Sequence, residues 1–464
     1  MRFLNTVNDY LWGYVVIFLL IGAALYFTVR SKGAQFRLIA DAIRIMMGRD
    51  KNPGTKDQKK IGSFQAFAVS LASRVGTGNL AGVASAIFVG GPGAVFWMWL
   101  MAMLGGATAF VEATLAQLYK CRGKDSFYGG PAYYREKGLG KRWVGIIFSI
   151  FLMVSFGLAN QIVQSTTIID SLNDTLGWDK MTLGIVLALG TFTVIAGGIL
   201  SISRTVSLIV PFMALGFILI ALIVIILNAG ELPGIFGMIF DNAFGAQQVG
   251  GGVAGAAIQQ GIKRGLFSNE AGEGSAPNAA AIAATSHPVK QGAVQALGVF
   301  IDTLVICTCT AFIILLSPEA FSGADGIILT TRCLESEIGS IGRYFITAAI
   351  FLFAFSTIIA NYYYGETSIR HITNSTLAIW AFRVMTSIVI ILGAVLTLQE
   401  AWSIIDIVMG LLTIINVVSI LLLSGKVFRL LGDYMEQKRQ GLKDPVFDKS
   451  KVFPELADKL EGWD

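Results

Sequence analysis

The chain has 464 residues, of which 54% are hydrophobic and only 14% carry a charge. Soluble domains carry about 25% charged residues, so this composition excludes an ordinary soluble protein and indicates that lipid is the main solvent. The net charge of +5 is explained by basic residues between the apolar segments, and the sequence has no nucleic-acid-binding signature. We therefore predict an all-α membrane protein.

Eleven apolar stretches are long enough to cross a bilayer, which takes about 20 residues per helix. They cover residues 12–29, 63–90, 93–119, 143–171, 181–198, 205–228, 251–285, 290–317, 342–370, 376–398 and 402–424. The first is predicted to be a retained helix rather than a signal peptide. Its apolar core is long, and no small-x-small cleavage site precedes the basic run after Arg30.

Basic residues indicate which side of the membrane is cytoplasmic. They are concentrated in residues 30–60, in residues 120–142 two connections later, and in the tail after residue 424. In the first of these segments they are Arg30, Lys32, Arg37, Arg44, Arg49, Lys51, Lys56, Lys59 and Lys60. Residues 229–249 contain no Lys or Arg. Because Lys and Arg accumulate in cytoplasmic loops, we predict an external N-terminus and a cytoplasmic C-terminus in the cell membrane.

Two of the predicted spans are interrupted by poor helix formers. The second span contains Gly76, Thr77, Gly78 and Asn79, and the seventh is interrupted between Gly265 and Gly274. Without the first span, the remaining ten divide into five and five, with an interrupted helix at the start of each half. Such matched breaks in inverted halves are typical of the central binding site of a transporter. The alternative is two glycine-rich helices that pack tightly without unwinding.

This pattern predicts four segments. They are an N-terminal helix with a basic segment (1–61), a first five-helix repeat (62–228), a second five-helix repeat (229–425) and a cytoplasmic tail (426–464). A half-helix that begins near Asn79 presents free N–H groups and a positive dipole end, which suit a carboxylate. Carbonyl groups freed at the end of the preceding half-helix suit a cation or an ammonium group. A zwitterionic amino acid satisfies both ends of such a break.

Four motifs carry a family resemblance. They are SLASRVGTGN at 70–79, GGPAYY at 129–134, GLFSNEAG at 265–272 followed by GSAP at 274–277, and FAFSTIIANYYYGE at 353–366. Over residues 5 to 425 the chain resembles the alanine or glycine:cation symporter family. The resemblance implies a LeuT-like fold of about 11 transmembrane helices with two discontinuous ones. It also implies symport of a small neutral amino acid, alanine or glycine, with Na⁺ or in some cases H⁺.

A glutamine transporter of the same fold, coupled to Na⁺ or H⁺, stays open as the alternative. A passive amino acid channel is less favoured because no filter-like repeat is visible. An enzyme is not expected, because the chain offers no constellation of nucleophile, base or metal ligands, and its two histidines, His287 and His371, are isolated.

The resemblance also implies the residues of a substrate site. Those expected around the carboxylate are Gly76, Thr77, Gly78 and Asn79, and those on the opposite wall are Phe267, Ser268, Asn269, Glu270 and Gly272. Gln164 is expected to face the substrate with Asn160 on the same helix face, and Thr357 to reach the site from the ninth span. Asn361 would leave a larger, more polar pocket than the Trp of some alanine-preferring relatives, which keeps glutamine open.

A sodium site is implied by the same resemblance. Its expected ligands are the hydroxyl groups of Ser356 and Thr357 and carbonyl groups near Ser70, Ser73 and Val75. The alternative is that each hydroxyl group bonds back to its own helix, as most membrane Ser and Thr residues do.

Acidic residues in or near the spans are further functional candidates, because charges are costly in a bilayer. They are Glu112, Glu270, Glu273, Asp302, Glu366 and Asp406. Glu270 lies in the second interruption and is expected to pair with Arg74 or Lys263, or alternatively to carry a proton.

Overall fold

The computed structural model describes residues 7–8, 10–48, 61–123, 126–244 and 253–463. Outside these ranges lie the first two residues of the seventh predicted span and the basic residues Arg49, Lys51, Lys56, Lys59 and Lys60.

The first part of the chain is helical apart from one short hairpin. Its α-helices are α1 (Val16–Arg30), α2 (Ala34–Arg37), α3 (Ile39–Met46), α4 (Ser63–Arg74), α5 (Val83–Gly90), α6 (Gly93–Leu118), α7 (Pro131–Leu139), α8 (Arg142–Val154), α9 (Asn160–Leu176), α10 (Lys180–Ala196) and α11 (Gly198–Leu227). Three π-helical segments, Leu11–Val15, Gly78–Gly82 and Ser155–Ala159, lead into α1, α5 and α9. Strands β1 (Cys121–Arg122) and β2 (Phe127–Tyr128) are antiparallel, with Cys121 opposite Tyr128.

The second part continues the helical bundle. Its α-helices are α12 (Leu232–Phe244), α13 (Val253–Asn269), α14 (Pro277–Ala281), α15 (Pro288–Val299), α16 (Thr308–Leu315), α17 (Gly326–Ile338), α18 (Ser340–Ile372), α19 (Thr376–Leu392), α20 (Leu398–Arg439) and α21 (Lys449–Val452). A π-helical segment, Phe300–Cys307, joins α15 to α16, and 3₁₀ turns lie at Ala229–Glu231, Pro318–Phe321 and Pro454–Lys459.

The helical membrane architecture is confirmed. Seven of the described helices are long and apolar enough to cross a membrane, and three shorter apolar helices accompany them. In the residues that the structure describes, each predicted span lies mostly on helix, although the exact number of crossings stays a prediction. Helix α20, which contains the eleventh predicted span, extends to Arg439 instead of ending near residue 424. Its extension buries Val427, Leu430, Leu431 and Tyr434 at helical spacing, so it continues as an amphipathic helix.

The core of the bundle surrounds the two interrupted helices. Helix α6 packs against α13 and α15, and α18 packs against α4, α9 and α11. The elements that contain the breaks, α4 with α5 and α13 with α14, are therefore enclosed by long continuous helices. This arrangement supplies protein partners for backbone groups that a break leaves unpaired, which is the condition for irregular backbone at membrane depth.

The C-terminal segment folds back onto the ends of α6 and α7. The indole N–H of Trp463 donates to the carbonyl of Gln117 at 3.0 Å, and the Lys120 ammonium group lies 4.1 Å from the Trp463 ring centre. Lys137 of α7 pairs with Glu461 at 3.0 Å. The tail is thus part of the folded structure on the side that is predicted to be cytoplasmic.

Candidate functional site

The first break is shorter than the sequence predicts. Helix α4 ends at Arg74, Val75 has φ −80° and ψ 88°, and helical structure resumes at Thr77. The N–H of Gly76 donates to Asn79 Oδ1 at 2.9 Å, and the N–H of Asn79 donates to the Gly76 carbonyl at 3.2 Å. A side chain that reaches back to the first backbone N–H is half of a capping box. This contact restarts the helix, so the predicted break over 76–79 is wrong for Thr77, Gly78 and Asn79.

The second break begins later than predicted. Helix α13 is regular through Asn269, and residues 270–276 form the break. Three residues there have left-handed backbone, with φ values of 57° at Glu270, 106° at Gly272 and 78° at Gly274. Such values end a right-handed helix. The expected interruption is wrong for residues 265–269, because Gly265 packs closely against Met98 of α6 and the helix continues past it.

The two breaks lie against each other. The Ser73 hydroxyl hydrogen-bonds to Glu270 Oε1 and lies 2.5 Å from Asn361 Oδ1. A Cβ atom on Gly78 would lie 2.9 Å from Phe267 Cδ1 and 3.1 Å from the Ser268 Cα atom. Gly78 therefore allows the second half of the first broken helix to touch the last turn of α13.

Helix α9 supplies the polar groups that meet the first break. Gln164 Oε1 accepts hydrogen bonds from the Thr77 N–H at 3.0 Å and from the Thr77 hydroxyl at 2.8 Å. Gln164 Nε2 donates to Asn160 Oδ1 at 2.9 Å. A Cβ atom on Gly76 would lie 2.9 Å from Gln164 Oε1 and 2.4 Å from Thr357 Oγ1. The structure thus brings Asn160, Gln164 and Thr357 to the first break.

Asn79 and Ser268 converge on a buried carboxylate, that of Asp302. Asn79 Nδ2 donates to Asp302 Oδ1 at 2.7 Å, and the Ser268 hydroxyl donates to Asp302 Oδ2 at 2.6 Å. The Thr303 hydroxyl also donates to Oδ2, at 2.9 Å, and Asn269 Nδ2 donates to Thr303 Oγ1 at 3.2 Å. Asp302 lies in the π-helical segment between α15 and α16 and joins both broken helices. The sequence made Asp302 a candidate as an acid near a span, but did not indicate this role. The available signal was an acid in an apolar run.

Carbonyl oxygen atoms from two helices surround the hydroxyl of Thr357. Thr357 Oγ1 lies 2.7 Å from the carbonyl oxygen of Ala72, 3.3 Å from that of Val75 and 3.0 Å from that of Phe353. A hydroxyl group has one hydrogen atom, so it cannot satisfy these three acceptors at once. The freed end of α4 and helix α18 therefore form a cluster that is rich in oxygen acceptors.

Ser356 was expected to bind a cation through its hydroxyl group, and Ser70 and Ser73 through nearby carbonyl groups. The Ser356 hydroxyl donates to the Phe353 carbonyl of its own helix at 2.8 Å. The Ser70 hydroxyl donates to Gln295 Oε1 at 2.5 Å, and the Ser73 hydroxyl donates to Glu270 Oε1 and lies 2.5 Å from Asn361 Oδ1. Of the expected set, the structure brings together the Thr357 hydroxyl, the Val75 carbonyl and the carbonyl of Ala72, which precedes Ser73 in the chain.

The expected pairing of Lys263 with Glu270 is wrong. The Lys263 ammonium group lies 2.6 Å from Asp406 Oδ2, and Arg264 Nη1 lies 3.0 Å from Asp406 Oδ1. The Arg264 guanidinium group also lies 4.0 Å from the ring centre of Trp402. Buried cations need a close anion. Asp406 of α20 supplies it, because it faces the turn of α13 that carries Lys263 and Arg264.

Glu270 is instead bound by hydroxyl groups. The Ser275 hydroxyl donates to Glu270 Oε2 at 2.5 Å, and Ser73 donates to Oε1. Arg74, the other expected partner, donates to the Gln295 carbonyl at 3.2 Å, and its positive charge also acts on the Glu270 carboxylate. The carboxylate of Glu270 therefore links the end of α4 to the second break.

The expected substrate residues lie in the closed interior of the bundle. Asn79 and Asn361 are fully buried, and Phe267 is 5% exposed. Phe267 contacts Trp402 edge to face, with 4.6 Å between the ring centres. A cavity of about 490 Å³ lies at the end of α18, where it is lined by Tyr363, Glu366 and other residues, but by none of the expected site residues.

Comparison with known proteins identifies the family. Residues 1–449 match the model of the sodium:alanine symporter family. The chain belongs to this family. It is 48% identical over 461 residues to the amino-acid carrier protein AlsT of Bacillus subtilis, covering 99% of this chain and 97% of that protein. It is 47% identical over 443 residues to the probable sodium/glutamine symporter GlnT of Bacillus subtilis, covering 95% and 92%.

A more distant member has the same extent. The chain is 38% identical over 450 residues to the sodium/alanine symporter AgcS of Methanococcus maripaludis, covering 95% of this chain and 98% of that protein. Its fold also resembles the crystal structure of a mutant manganese transporter of Eremococcus coleocola, with a TM-score of 0.52, 13% identity, and coverage of 89% and 86%. The chain is thus a multi-pass membrane transporter of a sodium-coupled family with a LeuT-like fold, and not an enzyme.

Proposed function

We propose that this sodium:alanine symporter family member couples the uptake of one small neutral amino acid, alanine or glycine, to the inward movement of Na⁺ across the cell membrane. The N-terminus lies outside and the C-terminus in the cytoplasm. The observation that carries the proposal is the oxygen cluster around Thr357, which adjoins the N-terminal end of a half-helix at the first break. A cation and a carboxylate bound there would be neighbours, so each would favour binding of the other.

Sodium binds at the oxygen cluster. Its ligands are the hydroxyl oxygen of Thr357 and the carbonyl oxygens of Ala72, Val75 and Phe353, which lie within 3.3 Å of that hydroxyl. Carbonyl groups freed at the end of a half-helix coordinate cations in transporters that have broken helices. The hydroxyl groups of Ser70, Ser73 and Ser356 make hydrogen bonds within the protein instead.

The amino acid lies between the two breaks. Its carboxylate accepts from the amide end at Thr77 and Gly78, beside Gly76, whose N–H stays bound to Asn79. In the structure Gln164 Oε1 accepts from the Thr77 N–H and hydroxyl at this end. Gln164 then turns to donate through Nε2, with Asn160 as its partner. Phe267, Ser268, Asn269, Glu270 and Gly272 form the opposite wall, and Asn79 holds the wall together through Asp302.

We expect the following transport behaviour in proteoliposomes. Labelled alanine or glycine accumulates under an inward Na⁺ gradient and does not accumulate when K⁺ replaces Na⁺. Because proton coupling through Glu270 is the alternative, an inward proton gradient without Na⁺ is imposed as the matched condition. Accumulation driven by the proton gradient alone would contradict the proposed coupling to Na⁺. Flux that only equilibrates, whatever gradient is imposed, would indicate a passive channel.

Glutamine is the second candidate substrate, and Asn361 favours it. One end of the buried Asn361 amide faces Ser73, and the other end has no hydrogen-bond partner among the residues that the structure describes. An unpaired buried polar group costs about 1–3 kcal/mol, and the side-chain amide of a glutamine substrate, which carries both a donor and an acceptor, would pair with it. The relative GlnT bears the name of a sodium/glutamine symporter.

Replacing Asn361 with leucine separates the two substrates. If glutamine is carried, we expect Asn361→Leu to lower its uptake about tenfold or more, which corresponds to loss of one buried hydrogen bond, and to change alanine uptake much less. The exposed Asn374, replaced by leucine, is the matched control. Equal losses of alanine and glutamine uptake would show that Asn361 only supports Ser73, and alanine or glycine would remain the proposed substrate.

A further inference from the structure

The open turn of the second broken helix is held on both sides of one residue, Gly272. The N–H of Gly272 donates to Glu112 Oε2 of α6 at 3.2 Å. Its carbonyl accepts from Asn416 Nδ2 of α20 at 2.9 Å. Asn416 Nδ2 also hydrogen-bonds to Glu112 Oε1. The carboxylate, the amide and the Gly272 backbone therefore form a closed ring of hydrogen bonds.

The orientation of the Asn416 amide is set by its other partners. Asn416 Oδ1 accepts from the Tyr134 hydroxyl at 2.9 Å and from Arg135 Nη2 at 2.9 Å. Arginine has donors only, so the oxygen of the amide must face α7 and its nitrogen must face Gly272. Arg135 is itself fixed, because its Nε donates to Ser419 at 3.1 Å and its guanidinium group lies 3.8 Å from the Phe148 ring centre.

Local conformational preference does not hold this turn in place. Gly272 has φ 106°, and a Cβ atom there would lie 2.7 Å from Leu20 Cδ2, so the position requires glycine. Glycine leaves the backbone free to adopt many other conformations. Glu112 and Asn416 are 1% and 0% exposed, so water cannot replace either of them as a partner of the turn.

We propose that Glu112 and Asn416 are positioning residues that hold the unwound turn of the second broken helix, and that Arg135 links them to the helix α7. Neither residue lies in the expected substrate site, but the turn that they hold follows Phe267, Ser268 and Glu270 directly. If the turn moves, the wall of the site moves with it. The link through Arg135 ties this wall to α7, on the side predicted to be cytoplasmic.

The ring can be tested by exchanging its donors and acceptors. Glu112→Gln places an amide NH₂ against either the Gly272 N–H or the Asn416 NH₂, so two donors face each other. Asn416→Asp places a carboxylate against Glu112 and against the Gly272 carbonyl. In the double variant, the introduced amide accepts from the Gly272 N–H and donates to the introduced carboxylate, so the bond between the two side chains re-forms with reversed polarity. Only the Gly272 carbonyl then lacks its donor.

We expect each single variant to raise the KM for the transported amino acid about tenfold or more. The reason is that the free energy of a lost hydrogen bond to a charged group corresponds to a change of about that factor in binding. The double variant should recover most of that loss, which is the signature of direct coupling. Exposed positions supply controls, Glu436→Gln and Asn374→Asp, which we expect to leave KM unchanged. A purely structural role would lower the amount of folded protein and the maximal rate while KM stays the same.

Hydrogen exchange of the peptide that contains Gly272 gives a second measurement that needs no transport. The KM measurement depends on the proposed symport, whereas exchange depends only on the ring. We expect faster exchange in both single variants than in the unaltered chain, and slower exchange in the double variant than in either single one. Exchange equal to that of the unaltered chain in both single variants would overturn the proposal, as would a double variant that is no better than the worse single one.

Discussion

We expect that replacing Gly76 with alanine abolishes sodium-driven amino acid uptake. A Cβ atom at this position would lie 2.4 Å from Thr357 Oγ1 and 2.9 Å from Gln164 Oε1, far inside the roughly 3.5–4.0 Å of an ordinary contact. Both neighbours are proposed to serve transport, Thr357 at the cation and Gln164 at the carboxylate. Overpacking of this kind costs about 1–3 kcal/mol, and here the strain falls on both ligand sites at once.

The measurement is initial uptake in proteoliposomes at saturating Na⁺, normalised to the amount of folded protein. Gly22→Ala and Gly190→Ala are the matched controls, because a Cβ atom at either position meets nothing within 4 Å. We expect both to transport as well as the unaltered chain. Uptake by Gly76→Ala at the rate of these controls would contradict the close approach of the first break to α18 and α9.

We expect that replacing Thr357 with valine raises the sodium concentration for half-maximal uptake by about tenfold or more. Valine keeps the shape of threonine but removes the hydroxyl oxygen that lies 2.7 Å from the Ala72 carbonyl. One buried polar contact to a charged partner contributes about 1.5–3 kcal/mol, and about 1.4 kcal/mol corresponds to a factor of ten in binding. The apparent affinity for the amino acid should fall as well at fixed Na⁺, because coupling between two ligands is reciprocal.

Three further variants sharpen this result. Thr357→Ala should resemble the valine variant, and Thr357→Ser, which keeps the hydroxyl group, should stay close to the unaltered chain. Ser356→Ala should have little effect on the sodium curve, because the Ser356 hydroxyl donates to its own helix. A sodium curve that is unchanged in Thr357→Val and shifted in Ser356→Ala would move the cation site by one residue.

The two breaks illustrate how far a sequence can locate irregular backbone. Glycine-rich stretches predicted an interruption in the second and the seventh spans, and both helices are interrupted. The exact residues of each break differ from the predicted ones, because side-chain contacts with other helices set where each helix stops and restarts. Asn79 restarts the first helix by capping Gly76 at 2.9 Å, and Gly265 stays helical against Met98.

Charge partners were the least predictable feature of the candidate site. Lys263 was expected beside Glu270 of the same span, but Asp406 of α20 holds it at 2.6 Å. Asp302 appeared as one acid among several, whereas it joins Asn79 of one broken helix to Ser268 of the other. In both cases the partner comes from a different part of the chain, so spacing along the sequence carries no information about it.

The sequence by itself determined that lipid surrounds this protein, that its segments are helices, that two of them break at glycine-rich positions, and to which transporter family it belongs. These properties follow from composition, from local helix propensity and from motifs, each of which is contained in a short stretch of chain. Only the tertiary structure decided which hydroxyl group meets the freed carbonyls of α4 and which acid faces the buried cations. It also showed that Glu112 and Asn416 hold the second break. Those outcomes depend on which side chains of helices far apart in sequence face one another. The packing of the whole bundle sets this, because it fixes the rotation of each helix about its own axis.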